Sequence, residues 1–401
     1  MKRHDTLSRP AVQSLVASRI REVANAGMGR SDVLPFWFGE PDEVTPDFIR
    51  EAAKAALDTG DTFYTHNLGI PALREALACY ASELHQPVTA DHIAVTSSGV
   101  SALMLVAQLL LSPGDRVVIV TPLWPNLIEI PKILGAEVVS VPLRLSTQRA
   151  DPIWELDLDQ LLDALTPDTK ALLINSPNNP TGWTMQRAQQ QIVLDHCRKH
   201  GIWLLADDVY ERLVYDVPVG TRTCAPSFLD IADTNERVVS TNSFSKSWLM
   251  TGWRLGWMQV PTSLMADLGK LIEYNTSCAP GFVQKAGVVA VERGEEIVAH
   301  SIARYTEARN YLYEQLSRPV FREAGIVAPR PAGAMYLFFR IEGETDSLAL
   351  CKRLVSEAGL GLAPGSAFGP EGEGAIRWCF ASAIERLALG VQRLEAFIGK
   401  R

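Results

Sequence analysis

KALLIN at residues 170–175 and IWLLAD at residues 202–207 are two short apolar runs. The stretch between them begins with the turn-forming segment SPNNPTG and then becomes helical in pattern. Continuous apolar strands separated by helices are typical of a parallel sheet that is covered on both faces. This stretch therefore predicts an α/β fold with right-handed crossovers.

The same alternation of strands and helices extends in both directions along the chain. Between Ile93 and Val260 the apolar runs read IAVTS, RVVIVTP, AEVVSVPL, KALLIN, IWLLAD, RVVSTN and RLGWMQV. We predict that these runs form one mostly parallel sheet of about seven strands in a single large domain.

The rest of the chain predicts a second, smaller α+β domain. Long helical patterns follow the last of these strands, and GAMYLFFRI at 333–341 supplies another strand before a helix near 347–357. Near the amino terminus, VQSLVASRIREVANAG predicts a helix that ends at a glycine and is too short to form a domain alone. We therefore expect residues 1–45 to pack with a discontinuous small domain at 291–401, and residues 46–290 to form the large domain.

Composition excludes several classes of function. The chain has 401 residues, 47% of them hydrophobic, and a net charge of -8 without a basic run, which disfavours a nucleic-acid partner. The most apolar run, LMLVAQLLL, is too short to span a bilayer, and the amino terminus lacks an apolar signal-peptide core, so we expect a cytoplasmic protein. The six cysteines form no CxxC pair, which argues against a zinc ribbon or a dithiol redox centre.

A metal site of the zincin type is also disfavoured. His196 and His200 have metal-ligand spacing on a predicted helix, but Cys197 stands where a zincin has its glutamate. We expect a solvated helix face there, and we predict no metal site from the sequence.

The residues that follow the predicted strands are the candidates for chemistry, because open α/β sheets bind ligands at the carboxyl ends of their strands. Ser98, Gly99 and Val100 open a helix whose free N–H groups and dipole suit a phosphate, although an ordinary capped helix would look the same. Trp124 stands beside prolines that hold the backbone, so its ring could stack on a flat ligand or could simply be a core residue.

Two further strand ends carry polar groups. SPNNPTG places Asn178 and Asn179 in a tight loop between prolines, which pre-orients their amides. Asp207 and Tyr210 are three residues apart, so a helical turn would point both side chains the same way. A carboxylate at the end of a buried strand needs a cationic partner, unless Asp207 and Asp208 merely cap a helix.

The last strand end, SFSKSWLMTGWRLGW at 243–257, contains Ser243, Lys246 and Arg254. An ammonium beside an arginine repels it, so a phosphate would satisfy all three residues, and burial with like charge could make the lysine a nucleophile toward an aldehyde. We expect Gly252 to let the backbone turn into the next strand, and the three tryptophans to serve packing. Together the strand ends offer a phosphate site, a stacking ring, an acid for a ring nitrogen and an amine, which are the parts that pyridoxal phosphate requires.

The order and spacing of these motifs resemble those of the class I aminotransferases, enzymes of fold type I that depend on pyridoxal phosphate. The resemblance covers nearly the whole chain, from FGEPDEVTP and TFYTHNLGIPALREAL through SPNNPTG, DDVY and SxxK with an arginine eight residues later, to PGSAFGPEGEGAIRWCFA.

The resemblance implies a role in cofactor binding for most of the candidates. Lys246 would form the Schiff base and later move a proton between the substrate Cα and the cofactor, while Asp207 would pair with the ring nitrogen. Asn179 and Tyr210 would hydrogen-bond the phenolic oxygen, and Trp124 would stack on the ring. The phosphate would be held by Ser98, Gly99, Val100, Ser243 and Arg254.

The resemblance also implies substrate contacts and a homodimer. Arg377 and Gly39 would bind the substrate carboxylate, next to Trp124 and Asn179. Tyr64 stands five residues before Gly69, the spacing at which family members reach across a dimer interface to the phosphate of the partner subunit.

We therefore predict a ping-pong aminotransferase that moves an amino group from an L-amino acid to a 2-oxo acid. Some relatives that use dicarboxylates have a lysine at the position of Val100, and Phe38, Trp37, Trp124 and CAPGF indicate apolar pocket walls, so neutral or aromatic substrates are favoured. The alternatives are an aspartate-type enzyme, a lyase or cyclase on the same scaffold, or a catalytically inactive cofactor-binding regulator.

Overall fold

The computed structural model describes residues 8–147, 151–216 and 223–399, so the first seven residues of the expected N-terminal segment lie outside the described part. Its strands are β1 (Leu34–Pro35), β2 (Ile93–Thr96), β3 (Arg116–Thr121), β4 (Glu137–Ser146), β5 (Ile153–Leu156), β6 (Thr169–Asn175), β7 (Trp203–Asp207), β8 (Val238–Ser243), β9 (Gly256–Gln259), β10 (Ile326–Val327), β11 (Tyr336–Ile341), β12 (Leu360–Gly361), β13 (Ala363–Pro364) and β14 (Ala375–Cys379). Its α-helices are α1 (Pro10–Gln13), α2 (Arg19–Gly27), α3 (Asp47–Asp58), α4 (Pro71–Leu84), α5 (Gly99–Leu110), α6 (Pro125–Ile133), α7 (Leu158–Ala164), α8 (Arg187–His200), α9 (Phe244–Ser247), α10 (Met265–Asn275), α11 (Gly281–Arg293), α12 (Glu295–Leu316), α13 (Pro319–Glu323), α14 (Ser347–Ala358) and α15 (Ile384–Ile398).

The described strands include one large sheet in the order β2-β9-β8-β7-β6-β3-β4-β5. The pairs from β8 through β7, β6 and β3 to β4 are parallel, whereas β9 runs antiparallel to both of its neighbours and β5 antiparallel to β4. The mostly parallel sheet is confirmed, and all seven predicted runs are strands of it. The count of about seven misses β5, because its side chains alternate between buried and partly buried instead of forming a continuous apolar run.

The register of the parallel strands brings three polar ends together at one edge of the sheet. Asn175 at the end of β6 pairs with Asp207 at the end of β7, and Asp207 pairs with Thr241 on β8. Val117, Val118 and Ile119 on β3 are fully buried, as expected for a strand covered by helices on both faces. The buried strands thus form a rigid base from which the polar ends project.

A second sheet, antiparallel, has the order β10-β11-β14-β13, and β1 pairs with β12 in a two-stranded parallel sheet. Helix α2 buries Ile20 and Val23 in the same core cluster as Val355 of α14, so the N-terminal segment packs on the C-terminal part of the chain. The predicted domain limits at residues 45 and 290 remain predictions.

The predicted N-terminal helix is divided in two. Helix α1 ends at Gln13, and α2 starts at Arg19 after Ser18, whose side chain accepts a hydrogen bond from the Arg21 N–H at 3.2 Å. The periodicity of the stretch is helical throughout, but a serine N-cap lets a new helix begin in a different direction. None of the helices in the described part of the chain is both long and apolar enough to cross a membrane.

Candidate active site

A cavity of about 640 Å³ opens at the carboxyl ends of the central strands, and the small sheet closes it from the other side. The polar ends of β6, β7 and β8 meet there because of the register of the sheet. The predicted site residues that line the cavity are Gly39, Gly99, Val100, Trp124, Asn179, Asp207, Tyr210, Ser243, Lys246, Arg254 and Arg377.

Two predicted residues lie outside this lining. Ser98 is buried directly behind it as the N-cap of α5, where its Oγ accepts a hydrogen bond from the Ser101 N–H at 3.0 Å. The side chain of Tyr64 is 89% exposed and does not line the cavity of its own chain. Such an exposed aromatic side chain is what a residue serving a partner subunit would look like in a single chain.

Asp207 is a buried carboxyl group at the base of the cavity. Its Oδ2 accepts a hydrogen bond of 3.2 Å from the Asn175 side-chain amide, which also donates to the Asp207 carbonyl at 3.1 Å. Burial raises the pKa of Asp207 to about 7, and the neighbouring carboxylate of Asp208 adds to the rise, although the Lys246 ammonium opposes it. A carboxyl group in this state favours a cationic partner.

Asp208 belongs to a different environment. Its Oδ2 accepts hydrogen bonds from the hydroxyls of Ser240 at 2.6 Å and Ser227 at 3.3 Å, and it does not line the cavity. Consecutive residues of an extended chain point to opposite faces of a sheet, so the side chains of Asp207 and Asp208 lie in two different environments. This excludes the simple alternative that both carboxylates cap one helix.

Lys246 lies on the one-turn helix α9 that follows β8, and its Nζ donates a hydrogen bond to the carbonyl of Gly39. The Nζ atom is 5.8 Å from the ring centroid of Tyr210. Burial lowers the pKa of the lysine to about 8, and the Arg377 guanidinium also lowers it against the opposing influence of Cys379. The amine is therefore available in its neutral, nucleophilic form close to neutral pH.

The amino-terminal end of α5 lines one end of the cavity. The first N–H groups of a helix have no intrahelical partner, and the helix dipole is positive there. A Cβ on Gly256 would lie 2.4 Å from the Gly99 nitrogen, so a glycine is required where β9 meets the helix. Ser243 and Ser245 place their Oγ atoms 2.9 Å apart beside it. These donors and the helix end suit a phosphate group.

Arg254 completes this end with an exposed guanidinium. Its φ of 56° lies in the left-handed region, and its Nη1 donates to the Thr251 carbonyl at 2.7 Å. The expectation for Gly252 is wrong, because Gly252 has no positive φ and the left-handed turn into β9 is made by Arg254 itself.

Arg377 is a buried arginine on β14 that reaches the cavity from the small sheet. Its Nη1 donates to the Asn179 amide oxygen at 2.9 Å and its Nη2 to the Trp37 carbonyl, while its Nε has no hydrogen-bond partner within the described residues. Its Cζ lies 4.3 Å from the ring centroid of Tyr336. A Cβ on Gly39 would lie 1.9 Å from the Tyr336 hydroxyl oxygen, so only a glycine fits opposite this arginine.

The structure adds residues that the sequence prediction missed. Asn175 holds the Asp207 carboxylate, and its position as the polar end of a buried strand could have revealed it. The hydroxyl of Tyr336 lies 2.7 Å from that of Tyr210, but it comes from the other sheet and has no local sequence signal. Arg21 of α2 lies at the cavity with its Cζ 4.8 Å from the ring centroid of Phe38.

The architecture is that of the fold type I transferases: a mostly parallel sheet with Lys246 and Asp207 at its carboxyl edge, closed by a smaller sheet that carries Arg377. The sequence model of the family described as aminotransferase class I and II matches residues 31–394, and the chain belongs to this family. It is accordingly an aminotransferase, an enzyme whose substrates are amino acids and oxo acids.

The similarity to individual relatives extends over nearly the whole chain. The chain is 32% identical to aromatic-amino-acid aminotransferase 2 of Thermococcus litoralis over 96% of each sequence. It is 33% identical to an aspartate aminotransferase of Pyrococcus horikoshii over 94% of each. The solved aspartate aminotransferase of Thermotoga maritima superimposes with a TM-score of 0.86 at 31% identity, covering 98% of this chain and 100% of that one. Use of pyridoxal phosphate is a property of the family.

Proposed function

We propose that this aminotransferase holds pyridoxal 5'-phosphate at Lys246 and moves an amino group from an L-amino acid to a 2-oxo acid in a two-step ping-pong cycle. The observation that carries the proposal is that one cavity contains the Lys246 amine, the buried Asp207 carboxyl and the open end of helix α5. An aldehyde, a ring nitrogen and a phosphate find complementary partners in these three groups.

The residues present fit the cofactor by the chemistry of their donors and acceptors. Asp207 would take the cationic ring nitrogen, since its pKa is raised by burial and a positive partner relieves this cost. The phosphate would lie against the N–H groups of Gly99 and Val100. The remaining holders would be Trp124 on the ring face, Asn179 and Tyr210 at the phenolic oxygen, and Ser98, Ser243 and Arg254 at the phosphate.

When bound, the cofactor supplies an electron sink that lowers the barrier to removing the substrate α-proton. Lys246 acts as the base that accepts this proton at its Nζ and donates it again later in the same half-reaction. Its pKa of about 8 suits this task, because a base near the working pH can both take and give a proton. Asp207 keeps the ring nitrogen protonated, so that the sink is maintained.

Arg377 would bind the substrate α-carboxylate. Its Nε has no hydrogen-bond partner within the described residues, although the guanidinium is only 2% exposed, so it retains a donor for an anion that enters the cavity. The Tyr336 and Phe368 rings, with centroids 4.3 and 4.9 Å from its Cζ, fix the plane of the guanidinium. A carboxylate held there sets the substrate Cα facing Lys246.

We infer a preference for neutral or aromatic amino acids from the apolar side chains that line part of the cavity. These side chains are Leu15, Phe38, Leu103, Met104, Trp124 and Ile130. Burying a large apolar side chain against them is favourable by about 25 cal/mol per Å².

An aspartate-type preference is the second candidate, and Arg21 is the observation that favours it. Its guanidinium stacks on Phe38 at the cavity and could take the distal carboxylate of aspartate or glutamate. Relatives of both kinds, named aromatic and aspartate aminotransferases, match at nearly equal identity.

A panel of amino acids with 2-oxoglutarate tests the reaction and the preference together. We expect stoichiometric keto acid and glutamate, with higher kcat/KM for phenylalanine or leucine than for aspartate. Release of pyruvate and ammonia from one substrate alone would instead identify a lyase. Arg21→Leu separates the two preferences, since it should lower kcat/KM only for dicarboxylates, and Arg21→Lys is the matched control that keeps the charge.

We also propose that the enzyme works as a homodimer in which Tyr64 enters the site of the partner subunit. The support is its 89% exposure beside Phe63, which is 84% exposed, since two adjacent aromatic rings are rarely left in solvent.

A further inference from the structure

Three side chains that amino transfer does not use lie together near the turn that follows β7. His85 directly follows helix α4, Glu211 lies on the turn itself, and Cys224 comes from the next described segment of the chain. One ligand atom from each lies within 4.8 Å of the other two. None of the three is among the residues that line the cavity, so the proposed reaction gives them no role.

His85 is oriented as a metal-binding imidazole. Its Nδ1 lies 2.6 Å from the Asp230 carboxylate, which leaves Nε2 directed at the Glu211 Oε2 at 3.2 Å. The His85 and Glu211 side chains are only 3% and 6% exposed. Without a metal, both ring nitrogens face a carboxylate and each carries a proton. Once the Nε2 proton leaves, the Asp230 carboxylate behind Nδ1 holds the ring in the orientation that is usual around metal-binding histidines.

Glu211 and Cys224 are held in the same way by groups outside the trio. The Glu211 Oε1 accepts a hydrogen bond of 2.8 Å from the Asn242 amide, so Oε2 remains for a ligand. The backbone on both sides of Cys224 is fixed: the Ala225 N–H donates to the Glu211 carbonyl at 2.7 Å, and the Thr223 carbonyl accepts from Arg212. The thiol is thus placed by the fold and not by a free loop.

The charges at the cluster match a divalent cation. Two arginines lie nearby, but Arg212 is paired with Glu295 and Arg187 with Asp230, so both guanidinium charges are already balanced. After His85 gives up its Nε2 proton, the Glu211 carboxylate and a Cys224 thiolate would contribute two negative charges beside a neutral imidazole. These two charges would balance those of a divalent ion.

We propose that His85, Glu211 and Cys224 form a binding site for a divalent transition-metal ion, for which Zn²⁺ is the best match. One nitrogen, one oxygen and one sulfur ligand are the donor types that zinc takes, whereas Mg²⁺ and Ca²⁺ prefer oxygen alone. On binding, the Cys224 thiol and the Nε2 atom of His85 each lose a proton to solvent, and a water molecule takes the fourth tetrahedral position. The ion would join the end of α4 to the turn after β7 and, through Asn242, to the strand that leads to Lys246.

Cobalt spectroscopy on the full-length protein with its cofactor tests the site. Co²⁺ bound tetrahedrally with a thiolate gives intense d–d bands at longer wavelengths than pyridoxal phosphate absorbs. We expect one equivalent of Co²⁺ to produce these bands and one equivalent of Zn²⁺ to abolish them. We also expect Zn²⁺ to raise the Tm of the parent protein, because an ion that binds only the folded state stabilises it.

Cys224→Ser and His85→Gln should each lose the bands and the Zn²⁺-dependent rise in Tm. Cys79→Ser is the matched control, since Cys79 is an exposed thiol on α4, and it should behave as the parent does. Absence of the bands in the parent protein at millimolar Co²⁺, or bands of equal strength in Cys224→Ser, would overturn the proposal. The test does not depend on amino transfer, so its outcome leaves the proposed reaction untouched.

Discussion

At the scale of single residues, the site depends on ionisable groups that burial has moved away from their ordinary behaviour. The Lys246 amine and the Asp207 carboxyl are both deprived of solvent, which lowers the pKa of one to about 8 and raises that of the other to about 7. Both shifts favour the neutral forms. A neutral amine suits an aldehyde, whereas a cationic ring nitrogen would favour the ionised Asp207 carboxylate and lower its pKa again.

The first prediction concerns the pH dependence of cofactor attachment at Lys246. Because its pKa is lowered to about 8 from an ordinary value of 10.5, the fraction of neutral amine rises as the pH increases through about 8. We expect the rate of the visible absorbance change, after cofactor-free protein is mixed with pyridoxal phosphate, to rise over the same interval and then level off. A rate that keeps rising until the ordinary lysine range would contradict the prediction. Lys246→Ala is the control, with no such absorbance change and an unchanged circular dichroism spectrum.

The second prediction concerns Arg377. Removing its guanidinium in Arg377→Ala should raise KM for amino acids by roughly 10- to 100-fold, since hydrogen bonds to charged groups contribute about 1.5–3 kcal/mol. Arg377→Lys should recover only part of the loss, because an ammonium cannot form the two-point contact of a guanidinium. Steady-state kinetics measure the change in KM. The absorption spectrum of the bound cofactor is the control, because it shows whether each variant still holds the cofactor. An unchanged KM would remove the proposed carboxylate-binding role.

At the scale of elements, the junction of α5 with β9 is the place where the fold leaves the helix end open to the cavity. The helix can present its end to the cavity only because β9 passes it without a side chain at Gly256. An alanine Cβ there would lie 2.4 Å from the Gly99 nitrogen and 2.9 Å from the Asn242 carbonyl oxygen, both of which are backbone atoms. Backbone can relieve such contacts only by moving the helix end.

The third prediction follows from this junction. Gly256→Ala should weaken pyridoxal phosphate binding about tenfold or more, since overpacking costs about 1–3 kcal/mol and displaces the end of α5 that we propose to hold the phosphate. Gly252→Ala is the matched control, because a Cβ there meets nothing within 4 Å and the residue has no positive φ. Titration of cofactor-free protein with pyridoxal phosphate compares the two variants. Equal affinities would show that the helix end does not contribute to binding.

Elements also show how far the sequence alone can lead. Strands buried on both faces were predictable, because a continuous apolar run has few other interpretations, and their polar ends identified Asp207 and Lys246. Edge strand β5 was missed because the prediction relied on continuous apolar runs, whereas the side chains of β5 alternate between buried and partly buried. Tyr336 was out of reach, since its contact with Tyr210 depends on how two sheets pack. Gly252 was expected to let the backbone turn into β9, but the residue with a positive φ there is Arg254.

At the scale of the whole molecule, one predicted site residue, Tyr64, is exposed and lies away from the cavity of its own chain. The fourth prediction concerns dimers that form when two variants exchange subunits. Mixed dimers of a Tyr64→Ala chain with a Lys246→Ala chain should regain high-affinity cofactor binding and activity that neither variant has alone. The reason is that one site of each hybrid then combines Lys246 with the partner subunit's Tyr64.

Analytical ultracentrifugation and activity assays before and after subunit exchange measure the recovery. Mixing either variant with itself serves as the control. A dimer without recovered activity would mean that Tyr64 acts within its own chain or not at all, and a monomer would contradict the proposed assembly directly.

The aromatic packing around the site has a consequence of its own. Trp248 is 1% exposed, its ring centroid lies 4.9 Å from that of Phe244 and 5.9 Å from that of Trp257, and it stands two residues after Lys246. Trp124 lines the cavity itself. Indole emission overlaps the absorption of a conjugated pyridine ring. Excitation energy would therefore be transferred from these tryptophans to such a ligand in the cavity. The fluorescence of these tryptophans would therefore report, without an added label, how much of the protein holds its cofactor.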